Sequence, residues 1–313
     1  MDHVDSAILD LLEADYRTPL MQIARSVGVA RSTVKRRMRS LFEEGVYQGY
    51  QIEIGRLPLG LERLVYLEVK TNPREAWLLE ALESLSQCME SDGVIGEYGL
   101  VFKMAFRDGT DLAGTLHALD SLIASSAAKR YRIIDVLETY KERGLSPGIA
   151  SRLGVDVLNR ALLRTLSQQT SVTPYPTWKV ARILEQELKR RVSRSSVQKR
   201  IRALHESGVI RQFTIRPRRW RRGPGVRAFV RFRTDPGRTR AVAAKASSDM
   251  HEIVCLYRTG EDYSLFAEVF VEDLASMDGF LKKIYGVDGV LDTMTTIVLE
   301  KRKESSIPMG ALL

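Results

Sequence analysis

One order of segments runs through this chain twice at a nearly constant spacing. Residues 31–41 return as residues 194–204: Arg31, Ser32, Val34, Arg39 and Leu41 recur as Arg194, Ser195, Val197, Arg202 and Leu204. The segment after each of these repeats as well, with Gly45, Val46 and Ile52 recurring as Gly208, Val209 and Ile215. Farther on, Gly96–Tyr98 is echoed by Gly260–Tyr263, and Val136–Glu138 by Val298–Glu300. Such a chain has to fold as two copies of one two-part module, which restricts the architecture more than composition does.

The first part of each copy reads as a helix-turn-helix. In copy one, Asp5 can cap a helix carrying Ile8, Leu9, Leu11 and Leu12 on one side. Thr18 and Pro19 mark a second helix start, with Thr18 as the cap and Pro19 at the first helical position. Gly28 allows a tight turn, and a third helix comes next with Val34, Met38 and Leu41 as its inner stripe. The opposite face carries Arg31, Ser32, Lys35, Arg36 and Arg39. A helix fits the major groove, where its first-turn side chains reach base edges while lysines and arginines neutralise phosphates. Copy two repeats the pattern: Val197, Ile201 and Leu204 lie inside, Arg194, Ser195, Lys199 and Arg202 outside, and Ser193 is a cap where copy one has Ala30. A segment at 173–178, rich in proline and aromatics, is inserted relative to copy one and is a candidate obstruction to docking of the second unit. Residues 45–54 read as a turn into an extended segment resembling a wing or linker. The stretch after the second unit contains Arg218, Arg219 and Trp220 among prolines and glycines, an extended linker whose arginines suit a phosphate backbone.

The second part of each copy reads as βαββαβ, a ferredoxin-like plan with two helices on one face of a sheet. In copy one, Val65, Leu67 and Val69 alternate with Tyr66, Glu68 and Lys70. Next come a helix starting at Pro73, strands near 93–98 and 100–106, a helix after Asp111, and a strand from Tyr131 to Leu137. In copy two, Arg227, Phe229, Arg231 and Arg233 share one face of the first strand. Copy one's Tyr66 and Glu68 align with Phe229 and Arg231, so packing the two sheets face to face would bring Glu68 near Arg231. The expected fold class is α/β (α+β). The expected divisions are helix-turn-helix units at 1–50 and 154–214, ferredoxin-like domains at 63–140 and 226–303, linkers at 51–62, 141–153 and 215–225, and a tail at 304–313.

The totals bound the chemistry. The net charge of +9 over 313 residues favours an anionic partner, here double-stranded DNA. Cys88, in a helical pattern, and Cys255, in a strand-like run, read as buried small apolar residues in a reducing compartment. No apolar run approaches transmembrane length, and Asp2, His3 and Asp5 argue against a signal peptide, so no membrane partner and a cytoplasmic location are expected. His3, His117, His205 and His251 have no ligand spacing, and neither a phosphate-loop nor a nucleophile motif is present. The residues therefore predict no catalytic residue, metal or cofactor, and a chain that is not an enzyme.

The run Thr259–Tyr263, Gly289 and Val290 with Thr293, Thr295 and Thr296, and the paired helix-turn-helix motifs resemble the Lrp/AsnC (feast/famine) family of transcription regulators, in tandem over nearly the whole chain. The resemblance implies a helix-turn-helix joined to a ligand-responsive ferredoxin-like domain. It also implies an amino-acid effector held near Gly260, Glu261, Asp262, Tyr263, Thr293 and Thr295, and a homo-oligomer, a dimer of tandem chains or higher. Copy one lacks the Asp and has Arg130, Tyr131 and Arg132 where copy two has threonines, so the effector is expected on copy two. The alternative is an enzyme of the siroheme decarboxylase type, which resembles the same family and also occurs as fused pairs. Its acidic tetrapyrrole would need a basic pocket, which Arg227, Arg231, Arg233 and His251 are placed to supply.

Overall fold

The two copies match element for element. The computed structural model describes residues 1–70, 75–127, 130–143, 156–217, 225–305 and 307–308. Copy one runs α1 His3–Ala14, α2 Leu20–Val27, α3 Arg31–Glu43, β1 Tyr47–Ile54, β2 Arg63–Val69, α4 Ala76–Ser84, β3 Cys88–Ile95, β4 Leu100–Phe106, α5 Gly109–Ala124 and β5 Tyr131–Lys141. Copy two runs α6 Val157–Ser167, α7 Thr177–Leu188, α8 Arg194–Glu206, β6 Ile210–Pro217, β7 Val226–Thr234, α9 Thr239–Asp249, β8 Ile253–Thr259, β9 Leu265–Val271, α10 Leu274–Tyr285 and β10 Val290–Lys303. The chain does not divide between the copies, however. Its two compact units each take half of both: the helix-turn-helix parts group together, and so do the ferredoxin-like parts.

In the helical unit, local signals set the helix ends. Asp2, not Asp5, caps α1; its carboxylate accepts from the Asp5 amide at 2.9 Å, and Asp5 accepts in return from the Asp2 amide at 3.0 Å. Helix α2 begins after Pro19, and Thr18 instead donates its hydroxyl to the Asp15 carbonyl at 2.7 Å. Gly28 closes α2 in the left-handed conformation, φ 70°. Ser193 caps α8, accepting from the Ser196 amide at 3.1 Å, whereas Ala30 leaves α3 without a side-chain cap.

The segment read as a wing is the seam of this unit. Strand β1 pairs antiparallel with β6 of the other copy, aligning Ile52 with Phe213 and Tyr50 with Ile215. Tyr16, Tyr47, Tyr50 and Phe213 bury edge-to-face contacts along it. The residues just before and within the inserted segment pack onto this seam. Tyr50 and Gln169 exchange backbone hydrogen bonds at 2.9 and 3.1 Å, the Val172 carbonyl accepts from the Tyr50 hydroxyl at 2.9 Å, and the Tyr175 amide donates to Gln169 at 2.7 Å.

In the other unit, eight strands close a barrel in the order β10-β3-β4-β2-β5-β8-β9-β7. Each copy contributes a four-stranded ferredoxin-like sheet, and the copies join where β10 meets β3 and β5 meets β8. The outer sheet faces pack on the helices. Val65, Leu67, Phe102 and Met104 meet Leu78, Leu82, Leu112 and Leu119 in copy one. Ala228, Val230, Phe232 and Ala267 meet Val242, Ala246, Met277 and Phe280 in copy two. Asp108, rather than Asp111, caps α5 by accepting from two amides. Pro73 lies outside the described residues.

Strand β3 starts five residues before the expected strand and includes Cys88, which therefore lies on a strand against the helices and not on a helix. Its acids explain the difference. The side chains of Glu90 and Asp92 turn into the barrel, so the strand lacks the apolar alternation by which a strand is recognised. Inside, Arg227 reaches Asp92 at 2.6 Å and Glu268 at 2.8 Å, and Lys103 reaches Glu268 at 3.3 Å. Lys103 also donates to the Tyr257 hydroxyl at 2.9 Å, and Glu68 pairs with Arg231 as the sheet alignment predicts. Burial disfavours the charge on Glu90 and Glu268, yet the surrounding lysines and arginines hold both below the usual carboxylate range. At Asp92 burial wins over Lys301 and Arg227, and its carboxyl is pushed up to about 6.

A Cβ on Gly49 (φ +136°) would stand 1.9 Å from the Gln169 carbonyl oxygen, whereas one on Gly28 meets nothing within 4 Å. In urea titrations Gly49→Ala should therefore destabilise the chain by about 2–3 kcal/mol and Gly28→Ala by about 1 kcal/mol. For Asp92 the folded value lies above its ordinary 3.8, so the folded state favours the proton. That contribution is present below about 3.8 and is lost as pH rises through about 6. Relative to Asp92→Asn, the wild type should lose about 1–3 kcal/mol between pH 4 and 7, read from denaturation midpoints at each pH.

Candidate functional site

Burial of Val34, Met38 and Leu41 turns the opposite face of α3 outward, and burial of Val197 and Leu204 does the same for α8. Arg31, Ser32, Lys35, Arg36 and Arg39 are exposed on α3; Arg194, Ser195, Lys199 and Arg202 are exposed on α8. Among the described residues, no ion pair ties Arg31, Lys35, Arg36, Arg39, Arg194 or Lys199. Arg202 is engaged by Glu206 one turn on, at 2.7 Å, and Ser195 shares a 3.0 Å hydroxyl contact with Ser193.

One arginine of each helix faces the other way. Arg37 turns back to Asp2 and Asp5, both at 2.7 Å, and Arg200 to Asp156 at 2.8 Å and the Asn159 side-chain carbonyl at 2.8 Å. Each therefore fastens its outward-facing helix to the acidic start of the first helix of its own copy. Arg218, Arg219 and Trp220 lie outside the described residues.

The second candidate site is the turn between β8 and β9. Thr259 closes it, donating its hydroxyl to the Tyr263 carbonyl at 2.7 Å. The Tyr263 hydroxyl donates to Asp292 at 3.0 Å, and the Thr293 hydroxyl donates to the Tyr285 hydroxyl at 3.1 Å. The Thr293 amide donates to Asp292 at 2.8 Å. Tyr263 and Thr293 thus meet around Asp292 and Tyr285, two residues that the sequence reading missed. Asp292 directly precedes Thr293, a local signal; Tyr285 ends a helix, and only the fold brings it near. Gly260 and Asp262 are exposed, and Thr295 takes no part in this network but aligns with Val230 in the sheet. Glu261 points toward copy one's Arg132, 4.0 Å away, and burial raises its carboxyl despite that arginine.

In the equivalent turn of copy one, Gly96 and Glu97 are exposed but the tyrosine is covered. Tyr98 is buried under the guanidinium groups of Arg132 and Arg130, at 5.1 and 5.8 Å, and Arg130 pairs with Glu97 at 2.8 Å. Among the described residues no cluster of His, Cys, Asp or Glu is placed to hold a metal, and no helix is long and apolar enough to cross a membrane. The basic pocket expected for a tetrapyrrole is not assembled. Arg227 and Arg231 are engaged by carboxylates inside the barrel, while Arg233 and His251 are exposed, His251 beside Glu252 at 3.6 Å.

Comparison with known proteins agrees with both sites' surroundings. Residues 1–41 match the AsnC-type helix-turn-helix domain, and residues 227–308 match the Lrp/AsnC ligand binding domain. The HTH-type transcriptional regulator LrpA of Pyrococcus horikoshii is 32% identical over 114 residues, 36% of this chain and 81% of the relative. The HTH-type transcriptional regulator FL11 of the same organism is 31% identical over 143 residues, 45% of this chain and 93% of the relative. Among solved structures, the siroheme decarboxylase NirDL aligns over 98% of this chain and 94% of its own, with a TM-score of 0.67 and 13% identity. That match corrects the expectation that the chain is not an enzyme: a protein that shares this whole tandem layout is itself an enzyme. Absence of familiar catalytic motifs is a poor guide here, because those motifs belong to other folds.

Proposed function

The chain belongs to the Lrp/AsnC family, and on that premise we propose that it is a sequence-specific DNA-binding transcription regulator that reads an asymmetric site with two unlike helices. The carrying observation is the outward basic face repeated on α3 and α8, whose lysines and arginines, Arg202 apart, are engaged by no acid of the described chain. Lys35, Arg36, Arg39, Lys199 and Arg202 are assigned to phosphates, and Arg31, Ser32, Arg194 and Ser195 to base edges. Arg218 and Arg219 are assigned to the phosphate backbone beyond the second unit. A pair of identical helices reads a palindrome, whereas α3 and α8 differ in sequence and suit two different half-sites. The relatives named as transcriptional regulators support this reading.

An amino acid or other small effector is assigned to copy two's turn, at Gly260, Glu261, Asp262, Tyr263 and Thr293 with Asp292 and Tyr285; Thr295 lies farther along the same strand. Copy one's covered Tyr98 supports placing it there. The working form is proposed to be a dimer of tandem chains or a larger assembly in the cytoplasm. A second reading, decarboxylation of siroheme or a similar acidic tetrapyrrole, is favoured by the whole-chain likeness to NirDL. Release of carbon dioxide from siroheme by the pure protein would establish it.

DNA titrations at about 50 and 200 mM salt test the regulator reading. Binding should prefer particular genomic fragments and weaken by about 1,000-fold or more between the two salts if six or more phosphates are contacted. Arg36→Glu and Lys199→Glu should each weaken it by about tenfold or more and flatten the salt dependence. Equal, weak binding to every duplex by wild type and variants would overturn the reading. Asp292→Asn should reduce the response of DNA binding to an active amino acid by about tenfold while leaving effector-free DNA binding unchanged.

A further inference from the structure

The strand registers show which residues of the two copies are equivalent. Tyr66 lies opposite Lys103 on one side and Ile134 on the other; Phe229 lies opposite Glu268 and Thr296. Glu68 lies opposite Val101 and Arg132; Arg231 lies opposite Phe266 and Met294. Lys103 and Glu268 therefore occupy the same place in their sheets, and so do Glu68 and Arg231. At both places the charge is reversed between the copies.

Each of these residues also bonds to its own equivalent. Lys103 meets Glu268 at 3.3 Å, with side chains 2% and 6% exposed. Arg231 meets Glu68, both 3% exposed. Two residues related by a pseudo-twofold axis can touch each other only beside that axis. In a barrel of two copy-one sheets, Glu68 would face Glu68 and Lys103 would face Lys103. In a barrel of two copy-two sheets, Arg231 would face Arg231 and Glu268 would face Glu268. A buried charge facing its like is disfavoured, even where its own copy offsets it in part, as Arg132 does for Glu68, Glu90 for Lys103 at 3.9 Å and Arg227 for Glu268.

The surrounding residues also join unlike charges across the copies. Asp92 and Glu90 of copy one meet Arg227 of copy two at 2.6 and 3.5 Å, and Glu90 also meets Lys301. Tyr66 of copy one donates its hydroxyl to Glu268 of copy two. Arg132, the second cation on Glu68 at 2.8 Å, has Met294 as its copy-two equivalent, which touches Arg231 through its sulfur at 3.8 Å. Copy two thus has no acid of its own at the place of Glu68.

We propose that these reversed positions are a pairing code, by which the copy-one sheet accepts only the complementary copy-two sheet and neither sheet closes a barrel with its own duplicate. Every barrel then contains one sheet of each kind, and exchange into like pairs between chains is blocked from inside.

The test uses the full chain and two sets of substitutions. Arg231→Glu with Met294→Arg gives both copies the copy-one code at this place. Adding Glu68→Arg and Arg132→Met exchanges the code between the copies and restores complementarity. Thermal melting should show the like-coded chain about 10 °C or more below wild type, or failing to fold. The fourfold exchange should regain at least about half of that loss, although it carries twice as many changes. The proposal is overturned if the exchanged chain is no more stable than the like-coded chain, including if neither folds. It is equally overturned if the like-coded chain melts within about 2 °C of wild type.

Discussion

Closure of two four-stranded sheets into one barrel is the constraint on which much of this structure depends. A single copy would leave two strand edges unpaired and one sheet face, carrying Glu68, Glu90, Asp92 and Lys103, uncovered. Closure pairs β3 with β10 and β5 with β8, and matches the acids of one copy to the cations of the other. Barrels of eight strands have interiors that side chains fill. Here much of that filling is ionic, so the apolar cores that support each sheet lie outside the barrel, between sheet and helices.

The helical unit uses the same principle of pairing like parts with a different material. Its seam is a two-stranded sheet lined with Tyr16, Tyr47, Tyr50 and Phe213. The two outward basic helices, α3 and α8, belong to that one unit, and Arg37 and Arg200 fasten each to the first helix of its copy. Sequence near the seam has changed without loss of the pairing. Copy two carries an insertion directly after Gln169 and Val172, which bond to Tyr50 of β1, and a serine cap where copy one has Ala30.

What could be read from the sequence depended on whether a residue obeyed the usual pattern of apolar inside and polar outside. The helix-turn-helix units and the βαββαβ order were legible because Val34, Met38 and Leu41, and Val65, Leu67 and Val69, keep helical and strand periods. Glu68 beside Arg231 was legible because the repeat aligns them. The interior roles of Glu90, Asp92 and Lys103 were not, since the barrel interior inverts the rule: the charged face is buried between sheets, and the apolar face is buried under helices. The seam between β1 and β6 was likewise hidden, because an edge strand and a wing have the same local composition. At the turn between β8 and β9, Tyr263 and Thr293 were singled out through the family resemblance, while Tyr285 needed the fold to bring a helix end to the strand.

A symmetric dimer cannot place a lone buried charge beside its axis, because the charge would meet itself. Covalent fusion of the two copies removes that restriction, and this chain has used the freedom at three levels. Inside the barrel, Lys103 faces Glu268 and Glu68 faces Arg231. At the β-turns, copy one's Tyr98 is covered by arginines, while copy two's Tyr263 reaches Asp292. On the basic helices, Lys35 and Arg36 of one copy correspond to Gln198 and Lys199 of the other. A fold shared with an enzyme over its whole length and a sequence shared with regulators over a third to a half of it are compatible in such a chain. The fold records only how the copies pair, and the unlike residues at equivalent positions decide what each copy contacts.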